Sequence, residues 1–396
     1  PADSAALRVL EQNNSDGYYY QDQAGVSPLL HYVDFATAQD LPLCANPNCT
    51  HKDDTCTAWA DQGYMLGVAG ERLILLCSGG TMDAPRPRID QMALDGTGRR
   101  TLAQLDSGWT YASVGNPGMG VSWPALTDGE ALYVPVEEWV QTISLDYTPK
   151  RDLLRVPFDG GESASLGLSL DSRDQILGAS GRTLVISRTL VEPGVRDDVS
   201  AAPPKALVVL DLDTGTETTL YTAAAPLGQD TPVWVGEEAC YVVDCATGDV
   251  LALPLDGAAG RTLANIGPLT LPGANRFDGM VNGRLSLLTP ARSLDELGFT
   301  SDWQRTLIDT ESGAVTISPL LRYDFSHYMP VPLLAITEDV VLVEYELRQQ
   351  DTVMMGQDGN IFQKPDLAPL RALMTPQEFL AGDMTAYRDI AVLDGA

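Results

Sequence analysis

The chain has 396 residues, with 54 Asp plus Glu against 25 Lys plus Arg and a net charge of −29. Nucleic-acid binding needs a positive footprint that displaces counterions, and an anionic membrane surface attracts basic segments; neither fits this balance. No apolar run approaches the ~20 residues of a spanning helix, and six cysteines in this length are too sparse for a disulfide scaffold.

The chain opens PADSAALRV without an initiator Met, and reads as a mature or trimmed chain from which any export signal has been removed. Beyond it comes a turn, SDG, followed by YYY (15–20), and then the apolar run PLLHYVDF (28–35). The same unit returns as AGE–RLILLC (69–77), TDGE–ALYVPV (127–136), SGR–TLVIS (180–187), VGEE–ACYVV (235–243), NGR–LSLL (282–288) and TED–VVLVEY (337–345). Gly, Asn and Asp supply the positive-φ positions of tight hairpins, and the runs after them are rich in β-branched, aliphatic and aromatic residues. The anchors Gly17, Gly70, Gly129, Gly181, Gly236, Gly283 and Asp339 recur about every 55 residues.

Between the anchors lies a second turn class, as in MALDGTGRRTL (92–102), VLDLDTGTETTL (209–220) and LIDTESGAVTI (307–317). Each unit therefore holds two hairpins, or four strands, and four-stranded units repeated radially are propeller blades. The expectation is an all-β, seven-bladed β-propeller of four-stranded antiparallel blades. It forms one domain over 1–396, with blades starting near 6, 63, 121, 175, 232, 277 and 333. Helix is confined to short pieces in insertions: TPQEFLAGD (375–383), with a capping box at Thr375 and Glu378, and SLDEL (293–297).

Antiparallel order puts both short turn classes on one face and the long connections on the other. The long ones are 78–88, 106–124, 190–204, 318–330 and an insertion at about 349–384. Long loops on a rigid scaffold are where binding resides.

Cys44, Cys49, His51 and Cys56 fall within LCANPNCTHKDDTC (43–56), in the outer strand of blade 1 and its crossing to blade 2. Three thiolates and an imidazole make a complete tetrahedral zinc set, with Asp53 and Asp54 as outer groups or solvated loop acids. The alternative is one disulfide plus a spare thiol. Cys240 and Cys245 lie on one strand, too far apart and on opposite faces for a bridge; with Cys77 they read as buried small hydrophobes.

Catalytic signatures such as G-x-S-x-G and H-E-x-x-H do not occur. His31 sits inside a strand and reads as packed. Glu137 and Glu138 are adjacent on a strand and point to opposite faces, which is not a glycosidase pair. The Asp-rich turn at 211–215 reads as a structural hairpin. Candidate ligand contacts are aromatic: Trp109, Tyr111 and Trp123 in one connection, and Tyr323 and Tyr328 flanking His327 in another.

The segment from Tyr18 to Trp59, through Cys44, Pro47, Cys49, His51 and Cys56, resembles a class of secreted lipoproteins from gut Firmicutes. These carry a Cys-x-x-Pro-x-Cys-x-His-x4-Cys-like segment near the start of a propeller-like repeat region. The resemblance implies a lipid-anchored, extracytoplasmic protein of an anaerobe, with the anchor upstream of Pro1, and it implies no activity. The expected function is a non-enzymatic binding or scaffold propeller whose partner is a glycan, a peptide or a cell-envelope protein, with structural zinc as the one possible cofactor. The alternative is a polysaccharide-acting hydrolase or lyase on the loop-rich face.

Overall fold

Hairpin turns set the architecture. Gly70, Gly129, Gly181 and Gly283 all take positive φ, between 59° and 84°, and each reverses the chain between a blade's first and second strands. The computed structural model describes residues 6–393 apart from 23–27, 47, 52–53, 61–62, 82–83, 107, 113–123, 139–149, 169, 171–173, 191–204, 224–230, 270–274, 291–302, 325–327 and 356–360. It is a seven-bladed β-propeller of antiparallel blades, the first closed by one parallel strand, with one short helix among the described residues.

Blades 2, 4, 5 and 6 follow one plan. Blade 4, for example, runs Gln175–Ser180, Thr183–Thr189, Lys205–Asp211 and Glu217–Ala223 from inside to outside. The middle strands are buried on both faces because neighbouring blades cover them. Leu73, Ile74, Leu75, Leu76 and Cys77 of blade 2 are all fully buried, so they read as a continuous apolar run rather than an alternation. Outer strands carry polar faces; Val315–Ile317 of blade 6 is exposed at every residue.

Near the axis the inner strands approach closely and carry bulges. A Cβ on Gly178 of blade 4 would stand 2.9 Å from the Val235 Cβ of blade 5, which is the reason a glycine sits at that bulge.

Three features depart from the sequence expectation. First, the apolar N-terminal stretch does not build an ordinary first strand of blade 1. It runs across four blades: Gln12 accepts from Tyr19 of blade 1, Glu11 accepts from Val68 of blade 2, Leu10 donates to Ala125 of blade 3 and Leu7 donates to Gly181 of blade 4. Arg8–Val9 pairs with Leu126–Thr127 at the inner edge of blade 3. Leu7 and Leu10 are buried, so burial of these two side chains outweighs local hairpin pairing.

Second, the ring closes through the C-terminal residues. Blade 1 reads Gly17–Asp22, Leu29–Asp34 and Gln39–Pro42, and Ala391–Val392 lies parallel at its outer edge. Just before it, Arg388–Asp389 pairs with Ala372–Leu373 of blade 7. A short extended segment thereby joins the last blade to the first.

Third, the 349–384 insertion is two features at opposite ends of blade 7. Val341–Met355 and Ile361–Met374 form one long ribbon, its ladder interrupted by a single bulge between Glu344 and Glu346. The helix Pro376–Ala381 follows it, in the turn toward the outer strand and so on the hairpin face. It has the expected capping box at Thr375 and Glu378 and a left-handed Gly382. It is held there because Phe379 is fully buried beneath the Arg305 guanidinium of blade 6, 5.5 Å from its ring centroid. The 293–297 segment lies outside the described residues.

Candidate metal centre

Strand Gln39–Pro42 ends at Leu43, whose N–H donates to the Leu30 carbonyl. The chain then leaves the sheet and returns fifteen residues later. Ala58 accepts from Leu30, and Ala60 donates to Pro28, so the returning segment takes over the ladder that Gln39–Pro42 left. Everything between is an excursion at the blade's edge, and it contains the cysteine cluster.

The excursion folds on its polar residues. The Asn46 side-chain oxygen accepts from the Asn48 N–H at 3.0 Å, and the Asn46 carbonyl accepts from the Cys49 N–H at 3.1 Å. This turns Cys49 back toward Cys44. His51 takes φ +53°, a left-handed conformation uncommon for a non-glycine residue. There its N–H donates to the Cys49 sulfur at 3.4 Å, and its Nδ1 lies 3.2 Å from the Cys56 sulfur.

As a result, donor atoms of Cys44, Cys49, His51 and Cys56 all lie within 4.8 Å of one another. All four residues singled out by spacing are brought together, and all three sulfurs are free thiols. Cys56 is buried against the core between blades 1 and 2, while Cys44, Cys49 and His51 are partly exposed. This set could hold a metal ion. Asp54 is exposed, as a solvated loop acid is, and Pro47, Lys52 and Asp53 lie outside the described residues.

The thiols differ in acidity. Burial raises Cys44, but hydrogen bonds involving Thr57, Asn46, Cys56 and Cys49 outweigh it and carry the thiol down to about 7. Burial pushes Cys56 up to about 12, with Cys49 and Cys44 adding to the rise against the Ala58 backbone.

Blade 2 holds the base of the excursion through groups that the sequence reading missed. Arg99 donates to the Trp59 carbonyl at 2.6 Å and to the Asp90 carboxylate at 2.9 Å. Asp90 is buried and also accepts from Thr101 at 2.9 Å and Arg88 at 3.2 Å. Cys77 is buried beside this carboxylate, its sulfur 3.7 Å away, so its setting is polar rather than purely apolar. The available signal was Arg88 and Asp90, two apart on one strand and therefore on one face. Of the other two cysteines, Cys240 is buried as expected; Cys245 is only partly buried, because its strand ends at Asp244.

The aromatic candidates are dispersed. Tyr111 is 7% exposed and donates to the Arg88 carbonyl at 2.7 Å. Trp109 packs partly buried against the core between blades 2 and 3. Tyr323 and Tyr328 pair on a short hairpin, Leu321–Tyr323 with Tyr328–Pro330. Their ring centroids are 5.3 Å apart, and they are 50% and 57% exposed. Trp123 and His327 lie outside the described residues.

His31 is buried, with Nδ1 2.9 Å from Asp40, and is packed as expected. Glu137 pairs with Arg151 at 3.1 Å. Asp211 spends one carboxylate oxygen on the N–H groups of Asp213 and Thr214, the structural turn read from sequence. A hollow of about 290 Å³ opens between blades 3 and 4, lined by Tyr133, Arg155, Arg182 and Asp211 among leucines. Among the described lining residues its one carboxylate is this turn residue.

No protein-family model matches the chain, and no curated protein is significantly similar to it. Solved structures are similar. A puromycin hydrolase aligns over 94% of this chain and 60% of its own length, at 15% identity and TM-score 0.47. Pyrococcus horikoshii acylaminoacyl peptidase aligns over 97% and 54%, at 7% identity and TM-score 0.49. Oligogalacturonate lyase from Vibrio parahaemolyticus aligns over 86% and 88%, at 10% identity and TM-score 0.46. The chain thus spans only 60% of the puromycin hydrolase's length. At these identities and TM-scores the likeness carries no argument about function, and the seven-bladed propeller with a Cys/His cluster is what the chain itself defines.

Proposed function

We propose that the chain is a non-enzymatic binding or scaffold propeller whose junction between blades 1 and 2 is held by a structural zinc ion. The ligands are Cys44, Cys49, His51 and Cys56. Three soft thiolates and an imidazole suit zinc better than the hard cations that oxygen ligands select. Four protein ligands leave no open position for a substrate or water, so the ion holds the excursion in place and does no chemistry.

Binding is assigned to the loop-rich face. The observation that carries it is the exposed Tyr323–Tyr328 pair, presented on a hairpin in the connection between blades 6 and 7. Tyrosines offer apolar faces with polar tips and suit sugars and peptides. The partner is then a glycan, a peptide or a cell-envelope protein, and the protein works outside the cytoplasm, held by a lipid anchor.

Glycan and peptide arrays probed with the wild-type chain and a Tyr323→Ala/Tyr328→Ala variant test this reading. It expects at least one ligand class retained by wild type and lost, tenfold or more in affinity, by the variant. Ligands bound equally by both, or turnover of an arrayed polysaccharide, would overturn it.

A further inference from the structure

We propose that the Cys/His cluster is also a peroxide-responsive clamp, in which a hydroperoxide joins Cys44 to Cys49 and expels the metal ion. The proposal rests on the zinc reading above.

The cluster divides into two unequal pairs. Cys56 is buried in the core between blades 1 and 2 and stands against His51 Nδ1 at 3.2 Å. Cys44 and Cys49 are partly exposed, and the hydrogen bond from the Cys49 N–H to the Asn46 carbonyl bends the chain between them into a turn. Their sulfurs lie within 4.8 Å, so a shift of under ~3 Å reaches the ~2 Å length of a disulfide. An oxidant arriving from solvent meets these two sulfurs first, because Cys44 and Cys49 are partly exposed and Cys56 is buried.

The chemistry balances with a hydroperoxide as the two-electron oxidant. One thiolate attacks the O–O bond; it takes one oxygen and becomes a sulfenic acid, and the other oxygen leaves as an alcohol, or as water when the oxidant is hydrogen peroxide, after gaining a proton. The second thiolate attacks the sulfenic sulfur, the S–S bond forms, and hydroxide leaves and is protonated to water. Two sulfurs have each given up one electron, and the peroxide has accepted both. The metal ion retains only Cys56 and His51, too few to hold it, and departs as Cys56 takes up a proton. The Cys44–Cys49 turn stays tied while His51 and Cys56 lose their link to it through the ion. The two alternatives that the spacing presented, metal or disulfide, thus become two states of one site.

The test uses the full zinc-loaded chain, with zinc measured before any oxidant is added. Hydrogen peroxide is then titrated in, zinc release is followed with a chromogenic chelator, and disulfides are mapped by peptide mass spectrometry. The expected result is one zinc ion released for each pair of thiols consumed, a Cys44–Cys49 link, and reloading after dithiothreitol and added zinc. Thiol oxidation with zinc retained, or a link through Cys56, would overturn the proposal and leave the zinc reading intact. Absence of zinc before the oxidant would overturn both.

Discussion

Arg371 of blade 7 reaches Asp40 of blade 1, with Nη1 3.3 Å from the carboxylate, and the backbones of the same two residues are bridged by the C-terminal segment. Ile390 donates to the Arg371 carbonyl, and Leu393 donates to the Asp40 carbonyl. The seam that closes the ring is therefore fastened twice at the same point.

The side chains around that pair are largely buried and shared. Asp40, 1% exposed, also accepts from Tyr20 at 2.6 Å and faces His31 at 2.9 Å. Arg371 lies 4.1 Å above the Tyr20 ring and 3.6 Å from Glu344, which also pairs with Arg322 at 3.1 Å. Removing one member of a buried pair leaves an uncompensated charge. Asp40→Ala is expected to cost about 3–5 kcal/mol, measured as a lowered urea midpoint. An unchanged midpoint would mean that the seam does not depend on this pair.

The N-terminal segment is expected to be a stabilising part of the fold. Leu10 is fully buried, and a Cβ on Gly67 would stand 2.4 Å from its Cγ. Leu10→Ala removes a side chain packed against blade 2, and should cost about 2–5 kcal/mol in the same unfolding assay. A loss below ~0.5 kcal/mol, the scale of surface substitutions, would place this segment outside the cooperative core.

Asp90 gives the blade 2 anchor an acid dependence. Burial raises its carboxyl, but hydrogen bonds from Arg99 and Thr101 and the charges of Arg99 and Arg88 outweigh burial, and hold it below the model-compound value of 3.8. A carboxyl depressed in the folded state contributes stability above its unfolded pKa. That contribution is lost as the pH falls from about 4 through the lower folded value. Unfolding followed across this window should show the wild-type chain losing stability more steeply than Asp90→Asn. Equal slopes would remove Asp90 from the account.

Tyr323 and Tyr328 make the opposite prediction. Both are half exposed, so replacing them with Ala should leave stability within about ±0.5 kcal/mol while lowering ligand affinity tenfold or more. Scanning calorimetry beside the array measurement separates the two effects. A large drop in Tm would mean that the pair is structural.

Which of these features the sequence discloses follows from how local their causes are. The hairpin anchors are legible because Gly70, Gly181 and Gly283 need positive φ within a two- or three-residue turn. The metal centre is legible because Cys44, Cys49, His51 and Cys56 converge inside one excursion. Arg8 and Val9 look like any strand residues, and nothing local says that they pair with Thr127 and Leu126. The ribbon after Val341 carries polar residues that read as loop, yet its two strands pair from Val341 and Met374 to Met355 and Ile361, with one bulge between Glu344 and Glu346. Arg305 is buried and Arg371 largely so, because Asp278 and Asp40 meet them from other strands, and nothing local to either arginine announces it.

Zinc content of the purified, reduced chain is the most direct measurement of the central claim. Native mass spectrometry after expression with zinc supplied should find one zinc ion per chain, and none on Cys49→Ser. Wild-type chain that carries no metal, with Cys44, Cys49 and Cys56 recovered as free thiols, would contradict the account.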